Sequence, residues 1–135
     1  MRSVITQSVT LPAPAEKLYE MYLDPALHGA FTGHPVTIAA QSGAEFRAFD
    51  GQLTGRILAT VRPSLIVQSW RSTNFEPDDE DSTLILAFSD ESPGGRVNLV
   101  QVGVPDQDYQ GVTEGWEAYY WGPWREYLQK SQSKA

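Results

Sequence analysis

The sequence predicts an α+β fold in which an antiparallel sheet of six or seven strands packs against one long C-terminal helix. Two observations lead to this prediction. Between residues 36 and 104, short apolar runs alternate with hairpin-type turns, which is typical of antiparallel strands. Residues 112–128 are rich in aromatic side chains that recur at helical spacing, so they can cover one face of the sheet.

The N-terminal part predicts one strand followed by two short helices. Residues 3–11 alternate polar and apolar side chains, as a half-buried strand does. In residues 12–24 the apolar side chains recur at helical spacing, and Pro14 suits the first turn of that helix. Asp24, which precedes a proline, is a typical N-cap for a second short helix that we expect to run to about Phe31.

Three turn signals divide residues 36–104 into strands. Asp-Gly at 50–51 predicts a two-residue hairpin, Arg-Pro at 62–63 predicts a second turn, and the segment SDESPGG at 89–95 predicts a third. The acidic run EPDDED at 76–81 is expected to be a solvated loop, because like charges repel one another. The alternative, a calcium site, lacks the glycine and the ligand spacing of an EF-hand loop.

The C-terminal helix is unusually apolar around its circumference. Its large apolar side chains cover an arc of roughly 200°, about twice what an ordinary surface helix buries. We therefore expect the helix either to be wrapped deeply by a curved sheet or to face an internal cavity in part. The side chains on this arc are Val112, Trp116, Tyr119, Tyr120, Trp121, Trp124, Tyr127 and Leu128.

A Gly-Pro pair at residues 122–123 interrupts this helix. Proline in a helix interior removes a backbone donor and crowds the preceding turn, at a cost of about 3 kcal/mol. We interpret the pair as a bend that fits the helix to a curved sheet, since proline is a common cause of helix bends. The alternative is that the helix ends at Gly122 and that Pro123 lies in the first turn of a new segment.

Composition places the chain among ordinary globular proteins and argues against several partners. Its 135 residues, with 41% hydrophobic and 20% charged, suit a single domain over 1–135. A net charge of −7 argues against nucleic acid and against anionic membranes. The absence of cysteine excludes disulfides and thiolate metal sites. Because no signal peptide or membrane-spanning apolar run is evident, we expect a cytoplasmic location.

Several segments occur in the order known from one protein family. Together they make the chain resemble, over nearly its whole length, the activator of heat-shock-protein-90 ATPase homologues, C-terminal-domain type, within the START-like helix-grip superfamily. The resemblance implies a strongly curved antiparallel sheet that grips the long C-terminal helix, with two short helices after the first strand. The segments are AFTGHP (30–35), FRAFDGQLTGRI (46–57), IVQSWR (66–71), STLILAF (82–88) and GWEAYYWGPWREYL (115–128).

The resemblance also implies several kinds of function. Eukaryotic relatives carry this domain in a co-chaperone that stimulates the chaperone's ATPase. The wider superfamily mostly binds apolar or aromatic small molecules between sheet and helix, and a few members catalyse cyclisation or hydrolysis. We favour a noncatalytic small-molecule-binding module. The first alternative is a protein-interaction module related to chaperone ATPase activation, with a chaperone as partner, and the second is a cyclase- or hydrolase-type enzyme.

The expected ligand site is an apolar pocket between the sheet and the C-terminal helix, for an apolar or aromatic small molecule. Glu117 falls on the apolar arc, where a buried carboxylate could bind or protonate a ligand. Alternatively, Glu117 is a rim residue that reaches water or pairs with an arginine. The predicted pocket residues are Phe46, Trp70, Trp116, Glu117, Tyr120 and Trp124.

Few other residues indicate catalysis or cofactor binding. His28 and His34 are the only histidines, and without cysteine they make a structural zinc site improbable. No nucleophile elbow, phosphate-binding loop or dinucleotide fingerprint is present, so we predict no cofactor, no metal and no catalytic residue. Arg47 and Gln68 lie on predicted strands, and alternation leaves open whether each faces the pocket or the solvent.

Overall fold

The computed structural model describes residues 2–133, with side chains described for residues 3–131. It contains one curved seven-stranded sheet in the order β1-β7-β6-β5-β4-β3-β2, and every neighbouring pair is antiparallel. This confirms the predicted α+β class and sheet. The strands are β1 (Arg2–Leu11), β2 (Val36–Thr37), β3 (Glu45–Ala48), β4 (Leu53–Val61), β5 (Leu65–Ser72), β6 (Ser82–Glu91) and β7 (Gly94–Pro105), and the first two helices are α1 (Ala15–Leu23) and α2 (Pro25–Thr32).

The sheet buries one face and exposes the other, as the alternation in the sequence predicts. On β6, for example, Leu84, Leu86 and Phe88 are buried, and the residues between them are half-buried. A register shift between Ile57 and Ala59 on β4 marks a bulge, which bends a strand and increases its twist. The inner face of the curved sheet therefore becomes a concave surface for the helices.

The second short helix begins as predicted, whereas the first begins at Ala15, so Pro14 is its extended N-cap and not a residue of its first turn. The Asp24 carboxylate accepts hydrogen bonds from the backbone N–H groups of Ala26 and Leu27, at 2.8 and 3.1 Å, which caps α2. Gly33 follows the helix in the left-handed conformation, with φ of 82°, a geometry that glycine adopts without steric cost. The pair α1–α2 thus connects the two edge strands of the sheet, β1 and β2.

The hairpin at Asp50-Gly51 is confirmed, but its predicted length of two residues is wrong. Ala48 pairs directly with Leu53, so the turn contains the four residues between them. Phe49, Asp50 and Gly51 all have positive φ, at 53°, 57° and 85°. Three successive left-handed residues cannot fit a two-residue turn. A bulky side chain such as Phe49 adopts this conformation at a cost of about 1–3 kcal/mol.

The acidic run is an exposed loop, as expected. Arg71 ties it to the sheet by donating hydrogen bonds to the backbone oxygens of Glu76 and Asp79, both at 2.6 Å, and by an ion pair with Asp81 at 3.1 Å. Across the part of the chain that the structure describes, no group of three or more His, Asp or Glu side chains could hold a metal ion. Arg71 therefore ties the loop to the end of β5.

The C-terminal helix is continuous from Asp106 to Ser133 but changes geometry in its middle. It consists of α3 (Asp106–Gly115), a π-helical segment (Trp116–Trp121) and α4 (Gly122–Ser133). Gly122 keeps right-handed helical angles, with φ of −62° and ψ of −55°, and its N–H bonds the Glu117 carbonyl five residues earlier. The helix therefore does not end at Gly122, and the Gly-Pro pair marks the end of a π segment, which the sequence did not predict.

The π segment explains how proline is tolerated in this helix. Pro123 has no backbone N–H. The carbonyl oxygens of Tyr119, four residues before it, and of Ala118, five residues before it, therefore receive no hydrogen bond from position 123. Both of those residues are exposed. A π turn accommodates one extra residue, so it rotates the following helix by about 100° relative to the preceding turns. The helical angles predicted from the sequence assumed a constant 100° per residue. They are therefore wrong for pairs of residues that lie on opposite sides of the π segment at 116–121.

Gly122→Ala should not bring the gain of about 0.5–1 kcal/mol that this replacement usually gives inside a helix. A Cβ at position 122 would lie 3.0 Å from the carbonyl oxygen of Glu117 and 3.1 Å from its Oε2. Gly115→Ala is the matched control, because a Cβ there has its nearest neighbour in the Tyr119 ring at 3.6 Å. Urea unfolding of both variants measures the change in the free energy of unfolding. If the two substitutions stabilised the protein equally, the close contact between position 122 and Glu117 in the π segment would be contradicted.

Pro123→Ala should raise the free energy of unfolding by less than about 1.5 kcal/mol, although alanine is the better helix former by about 3 kcal/mol. If the segment became α-helical, Trp116 and Tyr120 would rotate away from their partners in the core. If the π segment persists, the helix-propensity difference, which is measured in regular α-helices, applies only in part. Urea unfolding measures the difference, and a larger stabilisation would show that the π segment is not tied to the core.

Candidate ligand-binding cavity

A cavity of about 470 Å³ lies between the C-terminal helix and the end of the sheet formed by β4 and β5. Helix residues of α3 and the π segment make one wall, strand residues make the opposite wall, and the turn 49–52 closes one side. Its volume falls within the range of about 300–1,000 Å³ that is typical of small-molecule sites. The lining residues are His34, Phe49, Asp50, Gln52, Leu53, Trp70, Ser72, Thr73, Asn74, Asp108, Gly111, Val112, Gly115, Trp116, Tyr119 and Tyr120.

Aromatic rings form most of the apolar wall. Trp70 on β5 and Trp116 on the helix are 6.3 Å apart between ring centroids, and Trp116 lies 4.8 Å from Tyr120. Phe49 contacts Tyr119 and Tyr120 edge-on, at 5.8 and 6.1 Å. Tyr119 is 60% exposed, so it marks the solvent side, whereas Trp70, Trp116 and Tyr120 are buried at the inner end.

The polar end of the cavity is a carboxylate held by two neutral donors. Asp108 lies in the first turn of α3 and is only 4% exposed. Its Oδ2 accepts a hydrogen bond of 2.6 Å from the Ser72 hydroxyl, and its Oδ1 accepts one of 3.2 Å from the Asn74 side-chain amide. The positive end of the helix dipole also favours a negative charge at this position.

The structure brings three of the six predicted pocket residues into the cavity, namely Trp70, Trp116 and Tyr120. Phe46 and Trp124 are fully buried and belong to the packed core instead. The Trp124 ring stacks on Phe31 with centroids 4.2 Å apart and planes 8° apart.

Glu117 lies outside this cavity, which corrects its predicted position on the apolar arc. Its side chain is 63% exposed and forms an ion pair of 3.6 Å with Arg125. The reason is the π segment, which shifts Glu117 by about 100° relative to Trp124 and Leu128. The predicted alternative, a residue that reaches water and pairs with an arginine, describes its position.

The structure also shows the orientation of the two strand residues Arg47 and Gln68, which the sequence left undecided. Arg47 is exposed and lies over Gly51, outside the cavity lining. Gln68 is fully buried on the inner face of β5, where its Oε1 accepts a hydrogen bond of 2.5 Å from the Tyr22 hydroxyl. Neither side chain is available to a ligand in this cavity.

A buried chain of hydrogen bonds runs behind the cavity wall. His28 is fully buried, with Nδ1 2.7 Å from the Tyr22 carbonyl and Nε2 2.9 Å from the Tyr120 hydroxyl. Because a carbonyl only accepts, Nδ1 carries the proton and Nε2 accepts from Tyr120. Burial lowers the pKa of His28 to about 4, against a smaller opposite effect of the bond to Tyr22, and burial raises the pKa of Tyr120.

A second set of bonds orients Trp116. Its indole N–H donates to Gln101 Oε1 at 3.0 Å, and the Gln101 amide donates to the Ser82 hydroxyl at 3.1 Å. Ser82 in turn donates to the backbone oxygen of Trp70 at 2.7 Å. These buried groups connect the Trp116 ring to the backbone of Trp70, so the Trp116 ring is held in a fixed orientation, whereas the buried indole N–H of Trp70 has no hydrogen-bond partner among the described residues.

Among the lining residues that the sequence did not predict are Asp108 and Phe49. A carboxylate at the start of a helix is common and gives no signal of burial. Phe49 precedes the Asp-Gly pair, and the alternation in the sequence assigned it to a strand rather than to a left-handed turn. Nothing in the sequence indicated that His28 bonds Tyr120 either, because the two residues are 92 positions apart in the chain.

The sequence profile of the family described as Activator of Hsp90 ATPase homolog 1-like protein matches residues 12–129. The chain belongs to this family. The matched region includes every residue that lines the cavity. This confirms the resemblance seen in the sequence motifs.

The relatives and the solved structures agree with this assignment. The Homo sapiens protein named Activator of 90 kDa heat shock protein ATPase homolog 1 is 29% identical over 116 residues, which make up 86% of this chain and 34% of the relative. The chain thus spans about a third of that relative's length. An HSP90 activator from Plasmodium falciparum has a TM-score of 0.77 at 17% identity, covering 87% of this chain and 89% of its own. Protein MLL2253 from Mesorhizobium loti has a TM-score of 0.81 at 17% identity, covering 95% and 98%. These two structures show the shared fold.

The protein should lose stability as the pH falls from about 6.5 to about 4, with His28 contributing on the order of 3 kcal/mol. In this window the unfolded chain protonates His28 and the folded protein keeps it neutral, so the unfolded state binds more protons and stability rises with pH. His28→Asn retains a donor for the Tyr22 carbonyl and should flatten this dependence. Urea unfolding between pH 4 and 8 measures how the free energy of unfolding depends on pH. His34→Gln is the control for the loss of an exposed histidine. If the pH dependence of stability were unchanged in His28→Asn, His28 would not be its source.

Proposed function

We propose that this protein is a noncatalytic module that binds an apolar or aromatic small molecule in the cavity between the sheet and the C-terminal helix. The observation that supports this proposal is a cavity of about 470 Å³ in which aromatic rings meet a few convergent polar groups. Ligand sites generally have this composition. The cavity opens to solvent beside Tyr119 and reaches the buried rings of Trp70 and Trp116 at its inner end.

The hydrogen-bonded inner wall also supports binding. Trp116 and Tyr120 are fixed by bonds to Gln101 and His28, so a ligand would meet rings that are already oriented. Preorganised walls reduce the ordering cost that binding otherwise carries. Tyr119 and the exposed turn residue Asp50 lie at the solvent side, where a ligand would enter.

The test uses naphthalen-2-ylmethanol, a neutral aromatic probe, and a pair of matched variants. Gly115→Leu adds a side chain at a lining position, and Ala118→Leu adds the same side chain at an exposed, non-lining position of the same helix. Isothermal titration calorimetry should show saturable 1:1 binding to the wild type. Affinity should fall at least about tenfold in Gly115→Leu, the equivalent of 1.4 kcal/mol or more, and stay unchanged in Ala118→Leu.

Two outcomes would contradict the proposal. Binding that is equally strong in Gly115→Leu would place the probe elsewhere on the protein. A complete lack of binding by aromatic probes, whether neutral or charged, would make the aromatic residues structural only.

A protein-interaction role related to chaperone ATPase activation is the second candidate. It is supported by membership of the family and by the name of the human relative, of which this chain spans about a third. A coupled assay of the ATPase activity of an Hsp90-type chaperone, with and without this protein, tests it directly. Within residues 2–133 no helix is both long and apolar enough to cross a membrane, and the cytoplasmic location stays a prediction.

A further inference from the structure

The charges that line the cavity are mostly negative. The lining contains two carboxylates, Asp50 and Asp108, together with His34, and it contains no lysine or arginine. Arg47 lies over Gly51 in the turn that closes the cavity, but it is not a lining residue. The chain as a whole carries a net charge of −7. A bound anion would therefore meet like charge at both ends of the cavity.

Asp108 is the feature that selects between ligand classes. It is 4% exposed, and no lysine or arginine of the described chain forms an ion pair with it. Its two hydrogen bonds from Ser72 and Asn74 use two of the roughly four lone-pair sites that a carboxylate offers. The dipole of α3 supplies the equivalent of about half an elementary charge, so the site stays net negative.

The aromatic wall favours the same kind of ligand. Trp70, Trp116 and Tyr120 lie close together at the inner end of the cavity, and Phe49 and Tyr119 continue the wall outward. The faces of aromatic rings attract cations, most strongly when the cation is shielded from water. An ammonium group among these rings would gain from the wall and from the carboxylate, whereas a neutral group would gain from neither charge effect.

We propose that the cavity binds an aromatic amine in its ammonium form, with the ammonium group donating to Asp108 and the ring packed against Trp70 and Trp116. This inference rests on the proposed small-molecule function and specifies its ligand class. The geometry assigns Asp108 as the specificity-determining residue, and Ser72 and Asn74 as the residues that position its carboxylate.

The experiment compares three probes that share one ring system, by isothermal titration calorimetry at neutral pH. They are naphthalen-2-ylmethanamine, which is cationic, naphthalen-2-ylmethanol, which is neutral, and naphthalene-2-carboxylate, which is anionic. The wild type should bind the amine at least about tenfold more tightly than the alcohol, and the carboxylate more weakly than the alcohol. This ranking needs no variant, so it tests the inference even if a substitution at position 108 impairs folding.

Asp108→Asn then assigns the preference to one carboxylate. The variant should lose the preference for the amine over the alcohol. Glu117→Gln removes the same charge at an exposed position of the same helix, outside the cavity, and should retain the preference. Equal loss in both variants would show a general attraction of cations to an acidic protein and would overturn the inference.

The remaining outcomes separate this inference from the proposed function. If the alcohol binds in the cavity and the amine binds no better, the amine inference fails and the small-molecule function stands. If none of the three probes binds, the proposed function fails and the inference fails with it.

Discussion

The position of every side chain around the middle of the C-terminal helix depends on the π-helical segment at 116–121. One extra residue per turn shifts the residues before Gly122 by about 100° relative to those after it. Trp116 and Tyr120 therefore face the sheet together with Trp124 and Leu128, and Glu117 faces the solvent. A regular α-helix of the same sequence would bury that carboxylate in an aromatic core without a partner, which is strongly unfavourable.

Polar groups inside the core hold the helix in this register. Trp116 donates to Gln101, Tyr120 donates to His28, and Trp121 donates to Gln7 at 2.7 Å. Each of these donors would be left unpaired if the helix rotated, at a cost of about 1–3 kcal/mol each. Apolar packing alone would tolerate several rotations of so aromatic a helix, so the hydrogen bonds supply specificity that the hydrophobic surface lacks.

The cavity is a consequence of the same arrangement. Trp116 is held by its hydrogen bond to Gln101 and packs against Trp70 and Tyr120, and the cavity lies beside these rings, between β5 and the helix. Its polar end is made where α3 begins, because Ser72 and Asn74 at the end of β5 meet Asp108 in the first helical turn. In this member of the Hsp90 ATPase activator homologue family, the helix-grip fold thus combines a rigid aromatic wall with one buried carboxylate.

The sequence by itself determined the class of fold, the order of elements and the N-cap of α2, because these depend on periodicity and on local chemistry. Asp24 caps α2 through its own neighbours, and the alternation of β6 fixes which side chains face inward. Three aromatic residues of the predicted pocket, Trp70, Trp116 and Tyr120, line the cavity, whereas Phe46 and Trp124, predicted on the same grounds, pack in the core. Only the tertiary structure decided the placement of Glu117, Asp108 and Phe49. A π turn is stabilised by contacts with distant strands, the burial of Asp108 requires β5 beside it, and the left-handed Phe49 depends on rings of the C-terminal helix. Interactions between residues far apart in the chain leave no local pattern in the sequence, and for that reason the site was less predictable than the fold.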